Sequence, residues 1–204
     1  MERKGGSMMK RAIMICGAMA LLFVAGFFSY KHLDPQVIRP EADYHIYSLD
    51  EMEQLATAIV EVEYEREKSS VVRLDEKDKY PLETKTFSEV KVQNVYKGNV
   101  NIGDTLTIVE YYAKWRDLYG SYQWMPNEIY VPLSKGKTYL LFLYQGPTQQ
   151  PDTYEIIGNH QGKYVIPAAK PAPGLTVAEL EIDEDDEAYR QLYKQVSEKY
   201  GFGE

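Results

Sequence analysis

The sequence predicts a mainly β domain with one helix before its strands, one helix after them, and a single transmembrane helix at the start. Three observations support this prediction. The stretch 12–30 carries no charge, about seven segments of strand pattern follow within 58–166, and apolar residues recur at helical spacing after residue 183. The 18 tyrosines strengthen the β interpretation, because aromatic residues favour strands.

The first predicted element is a membrane anchor over residues 12–30, AIMICGAMALLFVAGFFSY. At about 1.5 Å per residue, a helix of this length matches a hydrocarbon core of about 30 Å. Lys10 and Arg11 directly precede it. Because cations stay on the cytoplasmic side, we expect residues 1–11 to be cytoplasmic and everything after residue 30 to be extracytoplasmic.

A cleaved signal peptide is the alternative interpretation of this segment, and it would release a secreted protein. The small-residue pattern 18–20 comes too early for a cleavage site, and the pattern 24–26 is weaker. Cys16 falls near the start of the apolar stretch rather than near its end, so we interpret it as an apolar residue and not as a lipidation site. Retention as a signal-anchor is therefore the favoured prediction.

The charge distribution argues against nucleic acid as a partner. After residue 31 the chain has 18 cationic and 30 acidic side chains, a net charge of −12. Such a domain repels phosphate backbones, and no basic stripe offsets the repulsion.

The elements after the anchor follow in order. Residues 31–45 carry two prolines and are predicted to be a spacer. Ser48 and Glu51 have the spacing of a capping box, which predicts a short helix. The predicted strands, with an exposed loop at 67–81 and a connection at 113–127, are 58–67, 84–95, 105–112, 129–133, 138–144, 154–157 and 163–166.

The C-terminal part is predicted to be a linker and an amphipathic helix. Residues 167–182 are rich in proline and alanine, and 183–204 combines five leading acids with apolar residues at helical spacing. The acids 183–187 lack the mid-loop glycine of a calcium-binding EF-hand loop. We interpret them as a solvated helix start, where carboxylates suit the helix dipole. We expect no cofactor and no metal.

The number and spacing of the strands favour a meander or Greek-key barrel, OB-like in type, over residues 46–166. The segments IVEVEY, VQNVYKG, IGDTLTIVE and PLSKGKTYLLFL support this, because they resemble the netrin-like module of the tissue inhibitors of metalloproteinases. The resemblance covers roughly residues 56–145 and implies an OB-like barrel. It also extends to exported or anchored proteins of Gram-positive bacteria with no assigned activity.

The inhibitory chemistry of that family does not carry over. Those inhibitors place an N-terminal cysteine on the protease zinc and brace their fold with disulfides, whereas this chain has no cysteine after Cys16. Motifs for a serine hydrolase, a zinc protease or a phosphate-binding loop are also missing from the sequence. His160 lies in the turn GNHQG, where a polar residue is the default interpretation.

The candidate binding site is the stretch 111–130, in which seven of twenty residues are aromatic. Aromatic rings offer a large contact area with few rotatable bonds, so in a surface loop they stack on sugars or grip peptides. The competing interpretation is that they pack in the core. The residues predicted to bind are Tyr112, Trp115, Tyr119, Tyr122 and Trp124.

Together these observations predict a membrane-anchored extracytoplasmic module that binds a protein or a component of the cell envelope. Two alternatives stay open. One is an envelope hydrolase whose acidic residues meet only in the fold, and the other is an accessory subunit of a membrane complex.

Overall fold

The architecture comes from a computed structural model of the chain. It describes residues 19, 21–23, 26, 35–39, 45–77, 80–117, 120–125, 130–146, 152–168, 181 and 187–202. The described part is mainly β. Most of the predicted anchor, 12–30, lies outside these residues, and so do residues 1–11 and most of the linker 167–182.

Within the described ranges, no helix has both the length and the apolar character needed to span a membrane. The few described positions of the predicted anchor are helical.

After residue 30, the described part contains two helices and nine strands. The helices are α1 (Leu49–Leu55) and α2 (Glu187–Tyr200). The strands are β1 (Gln36–Ile38), β2 (Ala58–Leu74), β3 (Pro81–Lys97), β4 (Thr105–Glu110), β5 (Ala113–Arg116), β6 (Ser121–Trp124), β7 (Thr138–Tyr144), β8 (Thr153–Ile156) and β9 (Lys163–Ile166).

Five of the strands are paired in a cycle. β2 pairs with β3, β3 with β4, β4 with β8, β8 with β7, and β7 returns to β2. Only the β4–β8 pair is parallel, and the other four are antiparallel. We call these five strands the strand cycle. β9 pairs with Thr138–Leu141 of β7, while β1, β6 and β5 form a separate three-stranded sheet in that order.

Strand β7 is the central strand, because it pairs with three others, β2, β8 and β9. Its sequence, TYLLFLY, is apolar throughout, as expected for a strand with both faces buried. Tyr139, Leu141 and Leu143 pack in one apolar cluster with β2, β3, β4 and β8. Leu140 and Phe142 point to the opposite face. The predicted strand 138–144 is confirmed, and so is its central place.

The opposite face of β7 is covered by the two helices. Tyr189, Leu192 and Val196 of α2 share a cluster with Phe142 and with Met52 of α1. The predicted capping box is confirmed, since the Ser48 and Glu51 side chains each bond the other residue's backbone N–H. The amphipathic C-terminal helix therefore packs on the sheet through its apolar face.

The predicted loop at 67–81 is too long, because β2 continues to Leu74 and β3 begins at Pro81, and only 75–77 and 80 of its described residues lie outside the strands. Most of this segment lies on a long antiparallel ribbon, in which residues 66–74 of β2 face residues 81–89 of β3. Opposite charges face each other across the ribbon, including Arg66 and Glu89, whose Nε and Oε2 atoms are 2.6 Å apart. Lys68 and Arg73, which lie within the predicted loop, are likewise cross-strand partners of Glu89 and Glu83.

Three further predictions need correction. The predicted spacer 31–45 contains strand β1, and the predicted connection 113–127 contains β5 and β6. The predicted strand 129–133 is not a strand over its described part, Tyr130–Leu133. There the side chain of Glu110 binds the Tyr130 hydroxyl and the Leu133 N–H, in place of a neighbouring strand.

The chain divides into two compact units, each described by itself below. The first comprises Met1–Gln36 and Trp115–Tyr122, and the second comprises Val37–Lys114 and Gln123–Glu204.

Candidate functional site

In the first unit, the segment 115–122 forms the end of the β5–β6 hairpin. Asp117 organises its turn, since the Asp117 N–H donates to the Gly120 carbonyl at 3.0 Å and the Asp117 carboxylate accepts from the Gly120 N–H at 3.1 Å. Arg116 Nε donates to Ser121 Oγ at 2.9 Å. These three hydrogen bonds join β5 to β6 at this end of the hairpin.

Trp115 and Tyr122 form a stacked pair on this hairpin. Their ring centroids are 5.4 Å apart and the ring planes differ by 19°. Both side chains are half-buried rather than buried. Offset stacking of this kind orients both rings and leaves part of the pair accessible to solvent.

In the second unit, Tyr112 belongs to the core. It is only 6% exposed and packs with Met125 and Tyr130 in a small apolar cluster. Its backbone carbonyl accepts from Thr86 Oγ1 at 2.8 Å. Tyr112 therefore supports the interior and does not offer an accessible ring.

Trp124, also in the second unit, is half-buried and makes an edge-to-face contact with Tyr80 at 5.8 Å between centroids. Tyr80 is itself exposed. Tyr119, the fifth predicted binding residue, lies outside the described residues. Among the four predicted residues that the structure describes, only Trp115 and Tyr122 are paired with each other.

A second candidate site, which sequence reasoning missed, is a buried polar cluster in the second unit. Glu110, at the end of β4, accepts from Ser88 Oγ, from Tyr130 Oη at 2.6 Å and from the Leu133 N–H at 2.9 Å. Its carboxyl group is almost completely buried. Each of its oxygens thus has a donor, as a buried carboxylate requires.

Lys163, the first residue of β9, provides the positive charge of this cluster and is 3% exposed. Its Nζ contacts the Val131 carbonyl and Glu181 Oε2. The ammonium also lies 5.6 Å from the ring centroid of Tyr130 and 5.4 Å from that of Tyr139. A buried lysine is tolerated only with such partners, because removing an ammonium from water is costly.

Burial dominates the electrostatics of both charged groups. It raises the pKa of Glu110 above the usual range of a carboxyl group, against the lowering effect of its three hydrogen bonds. Burial also lowers the pKa of Lys163, although Glu181 opposes this effect. Each group is therefore pushed toward its neutral form, and the partners counteract that tendency.

This cluster is hard to predict from the sequence. Glu110 continues the apolar strand TLTIV, and Lys163 begins the strand KYVI, so each interrupts an apolar pattern only once. A charged residue in that position usually faces solvent at a strand end. Only the pairing of β7 with β9, and the 1% exposure of Glu110, reveal that the two groups are interior.

His160 is buried rather than displayed in a polar turn. Its ring lies 5.5 Å from that of Tyr189 and it is 8% exposed. Over the described ranges, no three His, Cys, Asp or Glu side chains come together in a way that could hold a metal ion.

Comparison with protein-family models, with curated proteins and with solved structures found no match to this chain.

Proposed function

We propose that this protein is a membrane-anchored extracytoplasmic interaction module that binds a protein or a cell-envelope component. The observation that carries the proposal is the stacked, half-buried Trp115–Tyr122 pair on a hydrogen-bonded hairpin. Aromatic side chains dominate binding energy at interfaces because they remove much apolar surface from water at low entropic cost. A pair held in place by stacking loses still less conformational freedom on binding.

We further propose that the strand cycle is an OB-like barrel. Its support is the cyclic order β2-β3-β4-β8-β7, with five strands and one parallel contact. The segment that resembles the netrin-like module, residues 56–145, contains six of the described strands, β2 to β7. Barrels of this type present ligand sites on their loops, which suits an interaction role.

We also propose that residues 12–30 anchor the chain in the membrane and that the domain lies outside the cytoplasm. The uncharged stretch 12–30 and the cations before it are the features of a signal-anchor, and the acidic remainder of the chain would then face outward. In that position, the module would meet envelope polymers and the outer parts of membrane proteins.

Binding is tested by chemical crosslinking in intact membranes, with co-sedimentation on purified cell-wall sacculi as a second readout. The Trp115→Ala, Tyr122→Ala double variant should weaken capture by about thirtyfold or more, which corresponds to the loss of one aromatic hot spot of about 2 kcal/mol. The matched control is Tyr144→Ala, which removes a tyrosine that is 42% exposed in the second unit. Equal capture by all three proteins would refute the proposed site.

Topology is tested separately, using the single native cysteine. In a Cys16→Ser background, Ser70→Cys places a thiol at an exposed position of β2. A membrane-impermeant maleimide should label this thiol in intact cells as fully as in lysed cells. Labelling only after lysis would place the domain in the cytoplasm and contradict the proposal.

A further inference from the structure

The side chain of Glu181 is held by donors that belong to the sheet. Lys163 Nζ on β9 contacts Glu181 Oε2. Lys137 Nζ, just before β7, lies 2.8 Å from Oε1, and Tyr139 Oη donates to the same oxygen at 3.3 Å. We call Lys137, Tyr139 and Lys163 the cradle. Its three donors converge on one carboxylate from three positions of a rigid framework.

Among the described residues, Glu181 is the only carboxylate that forms ion pairs with Lys137 and Lys163. The side chains of Lys163 and Glu181 are 3% and 4% exposed, so their charges are poorly screened by water. Glu110 lies near Lys163, but its two oxygens are already occupied by Ser88, Tyr130 and Leu133. Without Glu181, the cradle would therefore keep two ammonium groups and an unfilled place for one anion.

Glu181 is bound to the cradle through its side chain, while its backbone is in an unfavourable conformation. Its φ angle is +57°, in the left-handed region that a residue with a Cβ rarely adopts. Such a conformation costs about 1 kcal/mol for an ordinary L-residue. The ionic contacts of the carboxylate offset this cost. The residue as a whole is half-exposed, so its carboxylate reaches the cradle from the surface.

From this geometry we infer that the cradle is a carboxylate-binding site and that Glu181 is its intramolecular occupant. When Glu181 is withdrawn, the cradle accepts an external carboxylate, such as an acidic side chain or the C-terminus of a partner peptide. Lys163 and Lys137 supply the charge, and the Tyr139 hydroxyl supplies a directional donor. This site is independent of the aromatic pair.

The test removes the internal occupant and offers a small one. Glu181→Ala deletes the carboxylate, and Glu181→Gly deletes it while also relieving the strain of the positive φ angle. Thermal unfolding of the full-length variants is followed at pH 7 in sodium acetate and in sodium chloride of equal ionic strength. Acetate should raise the Tm of both variants saturably, by about 2 °C or more over chloride. The wild-type protein, with its cradle filled, should respond equally to both salts.

Two controls separate a specific site from a general salt effect. Adding Lys137→Met to Glu181→Gly should reduce the acetate response, because one of the two cations is lost. If a variant is unfolded in chloride, the same comparison is scored as recovery of the folded circular dichroism signal by acetate. Equal behaviour in acetate and chloride, by either readout, would overturn the inference.

Discussion

Two pairs of stacked aromatic rings have nearly the same geometry in this protein and different surroundings. Trp115 and Tyr122 stack at 5.4 Å with planes 19° apart, and Tyr164 and Tyr189 stack at 5.8 Å with planes 11° apart. The first pair is half-buried on a hairpin, whereas the second is buried between β9 and α2. Stacking alone therefore does not mark a binding site. The packing around the rings decides whether they stabilise the fold or meet a ligand.

The two ring pairs should differ most in how much they contribute to the free energy of unfolding. Tyr164→Ala should lower the free energy of unfolding by about 3–5 kcal/mol, because it leaves a cavity in a packed cluster. Trp115→Ala should cost about 1 kcal/mol, since its ring is half-exposed and its neighbourhood can relax. Urea denaturation of the two variants measures the difference. A loss of more than about 3 kcal/mol from Trp115→Ala would assign that pair to a core.

The buried Tyr164–Tyr189 pair is connected to the polar cluster of Glu110 and Lys163. The Tyr189 hydroxyl donates to the backbone carbonyl of Lys163 at 2.6 Å. Lys163→Met should destabilise the protein by about 3 kcal/mol, since it leaves Glu181 buried without its closest cation. Lys137→Met, at a side chain 35% exposed, should cost less than about 1 kcal/mol. Similar denaturation midpoints for the two variants would mean that water reaches the cluster.

A buried tyrosine hydroxyl should stabilise the fold only where it has a hydrogen-bond partner. Tyr130→Phe removes the donor to Glu110 and should cost about 1–2 kcal/mol. Tyr164→Phe should cost nothing or stabilise slightly, because the Tyr164 hydroxyl is buried and has no hydrogen-bond partner in the described part of the chain. The pair of variants is compared by thermal unfolding. Equal destabilisation by both would indicate a water bound at Tyr164.

A pH dependence of stability is expected from Glu110, whose pKa is raised by burial. Below the unfolded-state pKa of a glutamate this group is protonated in both states. As pH rises toward its higher folded pKa, the folded state alone keeps the proton and stability falls, by at most about 1.4 kcal/mol per pH unit. Glu110→Gln removes this loss, so the variant should gain stability relative to wild type between pH 4.5 and neutrality. A constant difference across that range would contradict the raised pKa.

Strong local patterns predicted the fold well. The strands 138–144 and 163–166 were predicted with the bounds that the structure gives them, because turn residues flank a short run rich in apolar residues at both places. The capping box of Ser48 was predicted for the same reason, since it depends on residues only three positions apart. Where a signal is complete within a few residues, tertiary structure has little to override.

Predictions failed where a residue's environment depends on contacts with distant parts of the chain. The charged residues beyond Glu67 suggested a loop, but Lys68 and Arg73 form ion pairs with Glu89 and Glu83 of β3, which no local window contains. The polar cluster was missed because Glu110, Lys163 and Glu181 come from distant parts of the chain. The aromatic stretch was ambiguous for a related reason. Tyr112 and Trp115 are three residues apart, yet one is core and the other is half-exposed.

Site-specific photocrosslinking in living cells tests whether the Trp115–Tyr122 pair contacts a ligand outside the membrane. A photoreactive phenylalanine analogue at position 115 is compared with the same analogue at the exposed position 144. Position 115 should give a discrete adduct, with protein or with glycan, that position 144 does not give. Identical adducts at both positions, or none at 115 in a folded and membrane-inserted protein, would contradict the account.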